Sequence, residues 1–354
     1  MSEEEGPRVA VIDNGSCSIK AGFAGEDKPK TTFPTIACTA KTPFVNGRPC
    51  PSLYVGSEGE HLSGLVNTDF PIRHGLVTNW EYMEKIWWQT FFNELCVDPE
   101  KTPVLLSEPA FNPKGNRMKM TEIMFESFHV PSMNISPQPV LSLYANGCNT
   151  AIVVESGDGV SYCVPLSQGF SIPEAITRFD IAGSDITNYL QELLKKKGCS
   201  FSRDSYSDYC LVRDMKEKLG YVASDFDAEM EKPESELVEE YELPDCSKVS
   251  LGSERFRCAE LLFRPELIGF ASGGLHEAIY NSVQKCDVTM RKFFYGNIIL
   301  SGGNTLFNGI SDRLTKELAD LLPHELNVRV VKNEERNIST WIGGSIIGSI
   351  GSFC

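Results

Sequence analysis

The stretch Arg8-Val9-Ala10-Val11-Ile12-Asp13-Asn14-Gly15-Ser16 decides the fold class. Its apolar run is too short for a core helix and rich in β-branched residues, so it reads as a buried strand, and the Asn-Gly that follows turns the chain. The design returns at Ala151-Ile152-Val153-Val154, which runs into Glu155-Ser156-Gly157-Asp158-Gly159. An acidic residue at a strand end, followed by a glycine-containing turn, thus occurs twice and predicts two related lobes facing each other. A third strand-to-glycine junction is Ile298-Ile299-Leu300-Ser301-Gly302-Gly303.

Between these junctions helix signals alternate with strands. Asn79 is placed to cap a helix whose apolar residues Met83, Ile86, Trp87, Phe91 and Leu95 recur at steps of three and four, with Trp88 on its flank. Further strands are read at 104–106, 162–165 and 328–331. Helices are read at 139–146, from Asp185 onward through Ile186, Tyr189, Leu190, Leu193 and Leu194, and at 310–322. The class is therefore α/β. The glycine-rich segment 341–345 closes the series, and the acidic, proline-containing stretch 225–240 lacks apolar periodicity and reads as a surface excursion.

A chain of 354 residues exceeds the usual size of one hydrophobic core, which again favours two lobes. With 33 basic against 48 acidic residues the net charge is −15 and no basic stripe stands out, so nucleic acid is excluded as a partner class. Lys195-Lys196-Lys197 is expected to complement the negative end of the helix it terminates. The acidic N-terminus has no signal-peptide character and no apolar run is long enough to span a bilayer, so a soluble, reducing compartment and no membrane insertion are expected. None of the 12 cysteines forms a CxxC pair and the 5 histidines are scattered, which argues against structural zinc.

Strand ends that deliver glycine, serine and aspartate from two matching turns are what a phosphate clamp requires, because glycine lets backbone N–H groups approach an oxyanion closely. Lys20 could bring a positive charge to the same phosphates. Asp13, Glu155 and Asp158 are oxygen ligands suited to Mg²⁺, which keeps waters and leans on the nucleotide for the rest. The pattern is not a P-loop: neither GxxxxGK[ST] nor GxGxxG is present. Residue chemistry alone reaches a two-lobed α/β phosphate-binding protein.

Longer collinear motifs extend this reading. Asp13-Asn14-Gly15-Ser16 with Lys20-Ala21-Gly22-Phe23-Ala24-Gly25, Asn112-Pro113-Lys114, Ile123-Met124-Phe125-Glu126, Val140-Leu141-Ser142-Leu143-Tyr144, Ser156-Gly157-Asp158-Gly159-Val160, Tyr241-Glu242-Leu243-Pro244-Asp245 and Trp341-Ile342-Gly343-Gly344-Ser345 follow one another in order. Together they resemble actin from Val9 to Phe353. The resemblance implies a duplicated, ribonuclease-H-like, two-lobed fold with four subdomains, and ATP or ADP with Mg²⁺ in a central cleft. It implies a first lobe of 1–145 plus 339–354, with 33–70 inserted, and a second lobe of 146–338, with 182–270 inserted.

Carried over by the same resemblance, Asp13, Gly15, Ser16, Cys17 and Lys20 match the first phosphate loop, and Ser156, Gly157, Asp158, Gly159 and Val160 the second. Gly183, Arg213, Lys216, Glu217, Gly302, Gly303, Leu306 and Phe307 match positions that hold ribose and adenine. Asp13 and Glu155 would meet the metal through water. Gln138 matches the glutamine that orients the attacking water, and His74 a histidine methylated in many actins.

The departures from the family pattern cluster at hydrolysis. Glu155 stands for an aspartate, one methylene longer, and Tyr162 stands for a histidine near the attacking water. A phenol is a poor proton acceptor near neutral pH. Pro137 and Pro139 flank Gln138, Cys17 replaces a glycine, and Asn337 replaces an adenine-side lysine. The segment 39–53, a filament-contact loop in the family, carries Pro43, Pro49 and Pro51 yet keeps Phe44 and Val45 as apolar anchors, and the sequence stops at Cys354, short of the family's helical tail. The expectation is an actin-like nucleotide-binding subunit of a cytoskeletal or other multiprotein assembly. Its ATP hydrolysis is expected to be weak or lost, its partners to be proteins that include actin-like subunits, and its place the cytoplasm, with nucleus or cilium open. The alternative is a conventional filament-forming actin-type ATPase.

Overall fold

A computed structural model describes residues 8–350 except 43, 46, 47, 50, 52 and 63, with backbone alone at 44, 45, 48 and 49. The chain divides into two compact units, residues 1–153 with 166–171 and 333–354, and residues 154–165 with 172–332.

Unit 1 is built on a five-stranded sheet in the order Met133–Pro137, Val104–Glu108, Ala10–Asn14, Ser18–Phe23 and Thr31–Pro34. The first three strands are parallel, with Ile12 opposite Leu106 and Leu106 opposite Ile135, while Ser18–Phe23 returns antiparallel and sets Asp13 opposite Lys20. Strand alternation explains why the opening run is apolar throughout. Ala10 and Ile12 face a core with Met83, Ile86, Trp87 and Phe91, whereas Val9 and Val11 face a second core with Leu105, Leu141 and Trp341. Strands covered on both faces lose the polar alternation of a half-exposed sheet.

The first core is closed by Trp80–Trp88, capped by Asn79 as expected, whose Oδ1 accepts from the Tyr82 N–H. This helix runs on as a π-helix over Gln89–Leu95, and Lys114–Glu122 does the same over Ile123–Ser127. The second core is closed by Gln138–Ala145 and Ser339–Gly348. The glycine-rich 341–345 is therefore helix interior. A side chain on Gly343 would overlap the Leu141 carbonyl, and a Cβ on Gly344 would lie 2.7 Å from Val11 Cγ1, so glycine lets this helix touch its neighbours backbone to backbone.

A smaller sheet in unit 1 orders Tyr54–Val55, Ala37–Ala40 and Val66–Asp69. Within 39–53, Phe44–Val45 pairs antiparallel with Arg48–Pro49. Pro43 and the side chain of Pro49 lie outside the described residues, as does Cys354.

The second sheet, most of whose residues belong to unit 2, runs Phe170–Ser171, Ser161–Ser167, Ala151–Ser156, Ile298–Ser301 and Val330–Val331, with Thr177–Phe179 also paired to Ser161–Ser167, while its residues 151–153 and 166–171 are counted with unit 1. Helices Gly183–Lys196, Tyr206–Leu219, Leu275–Gln284 and Ile310–Leu321 accompany them. The stretch 225–240 lies at the surface as expected, with all its residues but Phe226, Glu229 and Leu237 exposed, and has local structure of its own. It forms helices Phe226–Met230 and Glu234–Leu237 and enters a hairpin of Glu239–Glu242 with Lys248–Leu251. Its apolar residues are too sparse for a period, but Leu237 is buried against Phe256, Phe226 meets the Phe256 ring edge-on, and the Arg264 guanidinium lies over Phe226. Lys197, expected to answer a helix dipole, also bridges the carboxylates of Glu234 and Glu254.

Candidate functional site

In unit 1 the turn after Ala10–Asn14 is gripped by side chains from several elements. Strand pairing sets Asp13 beside Lys20, whose Nζ lies 3.2 Å from Asp13 Oδ2. The neighbouring strand Val104–Glu108 carries Ser107, whose hydroxyl donates to Asp13 Oδ1 at 2.7 Å and accepts the Asn14 N–H at 2.9 Å. Gln138 Nε2 reaches Asp13 Oδ1 at 3.2 Å and the Asn14 carbonyl at 3.3 Å. The Asn14 side chain donates to the Ser107 carbonyl and accepts from the Trp87 indole N–H, both at 3.0 Å.

The rest of this turn is held from the far side. Thr35 donates its hydroxyl to the Gly15 carbonyl at 2.7 Å and its N–H to the Cys17 carbonyl at 2.9 Å. Ser16 Oγ accepts the Gly75 N–H at 3.2 Å. Gly75 follows His74 in the tight hairpin between Ile72–Arg73 and Leu76–Val77, where both residues have positive φ. Pro137 ends its strand and Pro139 opens the next helix, where its missing N–H costs nothing. These prolines fix the junction that carries Gln138, and the amide still reaches the carboxylate.

Unit 2 holds its turn mainly through backbone and small polar groups. The Gly157 N–H closes the turn on the Val160 carbonyl at 3.2 Å. Helix Gly183–Lys196 begins against it: the Gly183 N–H donates to the Gly157 carbonyl at 3.0 Å, and Ser184 sends both N–H and hydroxyl to the Asp158 carbonyl at 2.9 Å. Gly183 fits closely, since a Cβ there would sit 3.0 Å from Asn304 Oδ1 and 3.1 Å from Asp158 Oδ1 and those side chains would have to give by a few tenths of an ångström. Asn304 Nδ2 donates to the Gly157 carbonyl at 2.6 Å and Ser156 Oγ at 3.2 Å, and Ser156 Oγ bonds Ser161 Oγ at 2.7 Å.

The residues expected on the nucleoside side are gathered partly. Lys216 is buried on Tyr206–Leu219 and donates to the Gly183 carbonyl at 3.0 Å. Arg213 lies on the same helix with its guanidinium 3.9 Å from Cys210 Sγ, and Glu217 is exposed there. Gly302 packs on Ser156 and Gly157, Gly303 has open space at its Cβ position, Phe307 is buried near Gly220, and Leu306 is exposed. Tyr162 is buried within its strand opposite Arg178, and burial pushes the phenol above its ordinary pKa, with the Arg178 guanidinium opposing and the Glu155 carboxylate adding to the rise.

Among the described residues no group of 3 or more His, Cys, Asp or Glu forms a metal cage. The donor set at Asp13 nonetheless suits a hard cation met through water. A carboxylate offers about four lone-pair positions, and Ser107, Gln138 and Lys20 supply three donors to it. Mg²⁺ characteristically keeps several waters and takes few protein ligands.

Ser107, Thr35, Trp87 and Asn304 were not legible as site residues. Ser107 and Asn304 carried a weak signal, a polar residue at the end of an apolar core strand and one directly after Gly302-Gly303. No helix among the described residues is long and apolar enough to cross a membrane. The sequence matches the protein-family model described as Actin over residues 5–354. With the match spanning both units and both strand-end turns, the chain belongs to the actin family.

Proposed function

We propose that the chain binds ATP or ADP with Mg²⁺ and works as a specialised subunit of a protein assembly, hydrolysing ATP slowly or not at all. The observation that carries the nucleotide reading is the Asp13 carboxylate at a strand end beside a glycine turn, with Lys20, Ser107 and Gln138 on its oxygens. Lys20 and Ser16 would take phosphate oxygens from one turn, and the Gly157–Val160 turn would do so from the other. Asp13 and Glu155 would accept hydrogen bonds from metal-bound water, and the metal would neutralise phosphate charge. Lys216, with three N–H donors of which one meets Gly183, suits the nucleoside side together with Arg213, Glu217 and Phe307.

Slow hydrolysis is supported by Tyr162, a phenol that is protonated near neutral pH even at its ordinary pKa of about 10 and that burial pushes further up, so it offers the water no basic lone pair. Gln138 is engaged through its amide nitrogen with Asp13 and Asn14. Action through mixed assembly rather than long homofilaments is supported by Pro43, Pro49 and Pro51 in the family's contact loop, and by a charge of −15 that sets like subunits against each other. A cytoskeletal complex in the cytoplasm fits these features, with nucleus and cilium as further settings.

The test is thermal denaturation in Mg-ATP against EDTA, with sedimentation of the same preparation. A ligand at 100 times its Kd stabilises by about 2.7 kcal/mol, so melting should rise by several degrees and nucleotide should be released on denaturation. Indistinguishable melting with no nucleotide released removes the binding reading, and abundant filaments without a partner favour conventional polymerisation instead.

A further inference from the structure

We infer that Ser107 is the positioning residue of the first turn, the group that orients the Asp13 carboxylate and so sets how strongly Mg²⁺ retains the nucleotide. The inference rests on the proposal that nucleotide and Mg²⁺ bind at this turn. A carboxylate's terminal torsion is broad and roughly two-fold, so the direction its lone pairs face is decided by its partners. Of those partners Lys20 is a flexible point charge at 3.2 Å, and the Gln138 amide is divided among Asp13, the Asn14 carbonyl and Ser107 at 3.2, 3.3 and 3.4 Å. The short, charge-assisted bond is the one from Ser107, at 2.7 Å.

The Ser107 proton has a single direction. The Asn14 N–H donates into the hydroxyl oxygen, so the O–H is left to point at a different acceptor, which is Asp13 Oδ1. The side chain is 1% exposed, so water does not compete for that bond. Glu108, next along the strand, is engaged by Arg117 and by Asn112 and does not draw the proton away. Parallel pairing of Ile12 with Leu106 places Ser107 beside Asp13, so the sheet register brings the two side chains within reach of each other. Partners that orient metal-facing groups typically change metal affinity by about 10- to 100-fold when removed.

The experiment measures dissociation of etheno-ATP from wild type, Ser107→Ala, Ser107→Thr and Ser107→Cys, each in Mg²⁺ and in EDTA. Ser107→Ala should release the probe about tenfold faster in Mg²⁺, and in EDTA at nearly the wild-type rate, because the lost bond acts through the metal. Ser107→Thr, which keeps the hydroxyl, should restore the wild-type ratio, and Ser107→Cys, a weak donor, should fall between and serves if the alanine variant does not fold. A merely structural role would speed release equally in both conditions. An unchanged ratio of the two rates in Ser107→Ala, or in Ser107→Cys if that is the folded variant, overturns the inference while leaving nucleotide binding intact. A wild-type protein that retains no probe in Mg²⁺ fails the nucleotide reading itself, and the inference with it.

Discussion

The turn after Ala10–Asn14 is clamped by side chains, whereas the turn after Ala151–Ser156 is clamped by main chain and small polar groups. Around Asp13 the donors are a lysine, a serine, a glutamine and an indole, contributed by separate strands and helices of unit 1. Around Gly157 they are the first N–H groups of a helix, two serine hydroxyls and one asparagine amide, packed so closely that glycine is required at 302 and a side chain would be tight at 183. Similar sequence turns are thus stabilised by different means. A charged, side-chain grip can be tuned by single polar substitutions, while a backbone grip fails through steric overlap.

The largest effect should come from steric failure in unit 2. Gly302 has φ 91° and ψ 160°, a region open essentially to glycine alone, and a side chain there would overlap the Ser156 carbonyl. Gly302→Ala should therefore cost about 3 kcal/mol or more, combining backbone strain with the clash. Gly15→Ala offers the contrast, since a Cβ there would also meet backbone, the Ser18 carbonyl oxygen at 2.6 Å, but without the positive φ that adds strain at Gly302, so its loss should be smaller. Urea denaturation of both variants decides the matter, and equal losses would erase the distinction between the turns.

A smaller loss is expected at Asn304, whose amide serves the Gly157 carbonyl and Ser156 Oγ together. Asn304→Ala leaves buried acceptors short of a donor, at about 1–3 kcal/mol. The loss should be at the low end, because Gly183 already donates to the same Gly157 carbonyl. Hydrogen exchange localised to 156–160 would show it, and exchange unchanged there would mean that the helix N-terminus suffices.

Beyond the turns, Tyr162 offers a gain of function in the proposed reaction. Tyr162→His replaces a buried phenol, which is protonated near neutral pH, with a group able to accept a proton there. Single-turnover phosphate release should rise about tenfold, equivalent to about 1.4 kcal/mol of barrier. No rise would place the block elsewhere, at Glu155 or Gln138.

These contrasts also mark what could be read from sequence. The strand–turn junctions at 13–16 and 156–159 were legible because a buried strand must be apolar and its end must turn. The grip on them was not, because Ser107 meets Asp13 across a parallel pairing that local sequence does not encode, and Trp87 looks like any core residue until its indole N–H finds Asn14. The helix Ser339–Gly348 was hidden by its glycines, which disfavour a helix locally but are needed for tight packing on Leu141 and Val11. The excursion at 225–240 lies at the surface as read, but its two short helices were hidden for the opposite reason, since few apolar residues suffice where Phe256 collects them.

The smallest effect separates the two parts of the first grip. Trp87 is fully buried in the unit 1 core and also donates its indole N–H to Asn14 Oδ1. Trp87→Phe keeps most of the apolar volume and removes that one bond, so the hydrogen bond itself should account for about 1 kcal/mol. A partly filled gap would add to the loss in proportion to its volume. Asn14 keeps its amide on the Ser107 carbonyl and its main-chain N–H on the Ser107 hydroxyl, so the backbone beside Asp13 should stay in place. Trp87→Phe should therefore lower the melting temperature slightly and leave the Mg²⁺-to-EDTA ratio of etheno-ATP release at the wild-type value. If that ratio rises as far as in Ser107→Ala, the carboxylate is oriented by the whole web around Asn14, and the assignment of that task to Ser107 alone has to be given up.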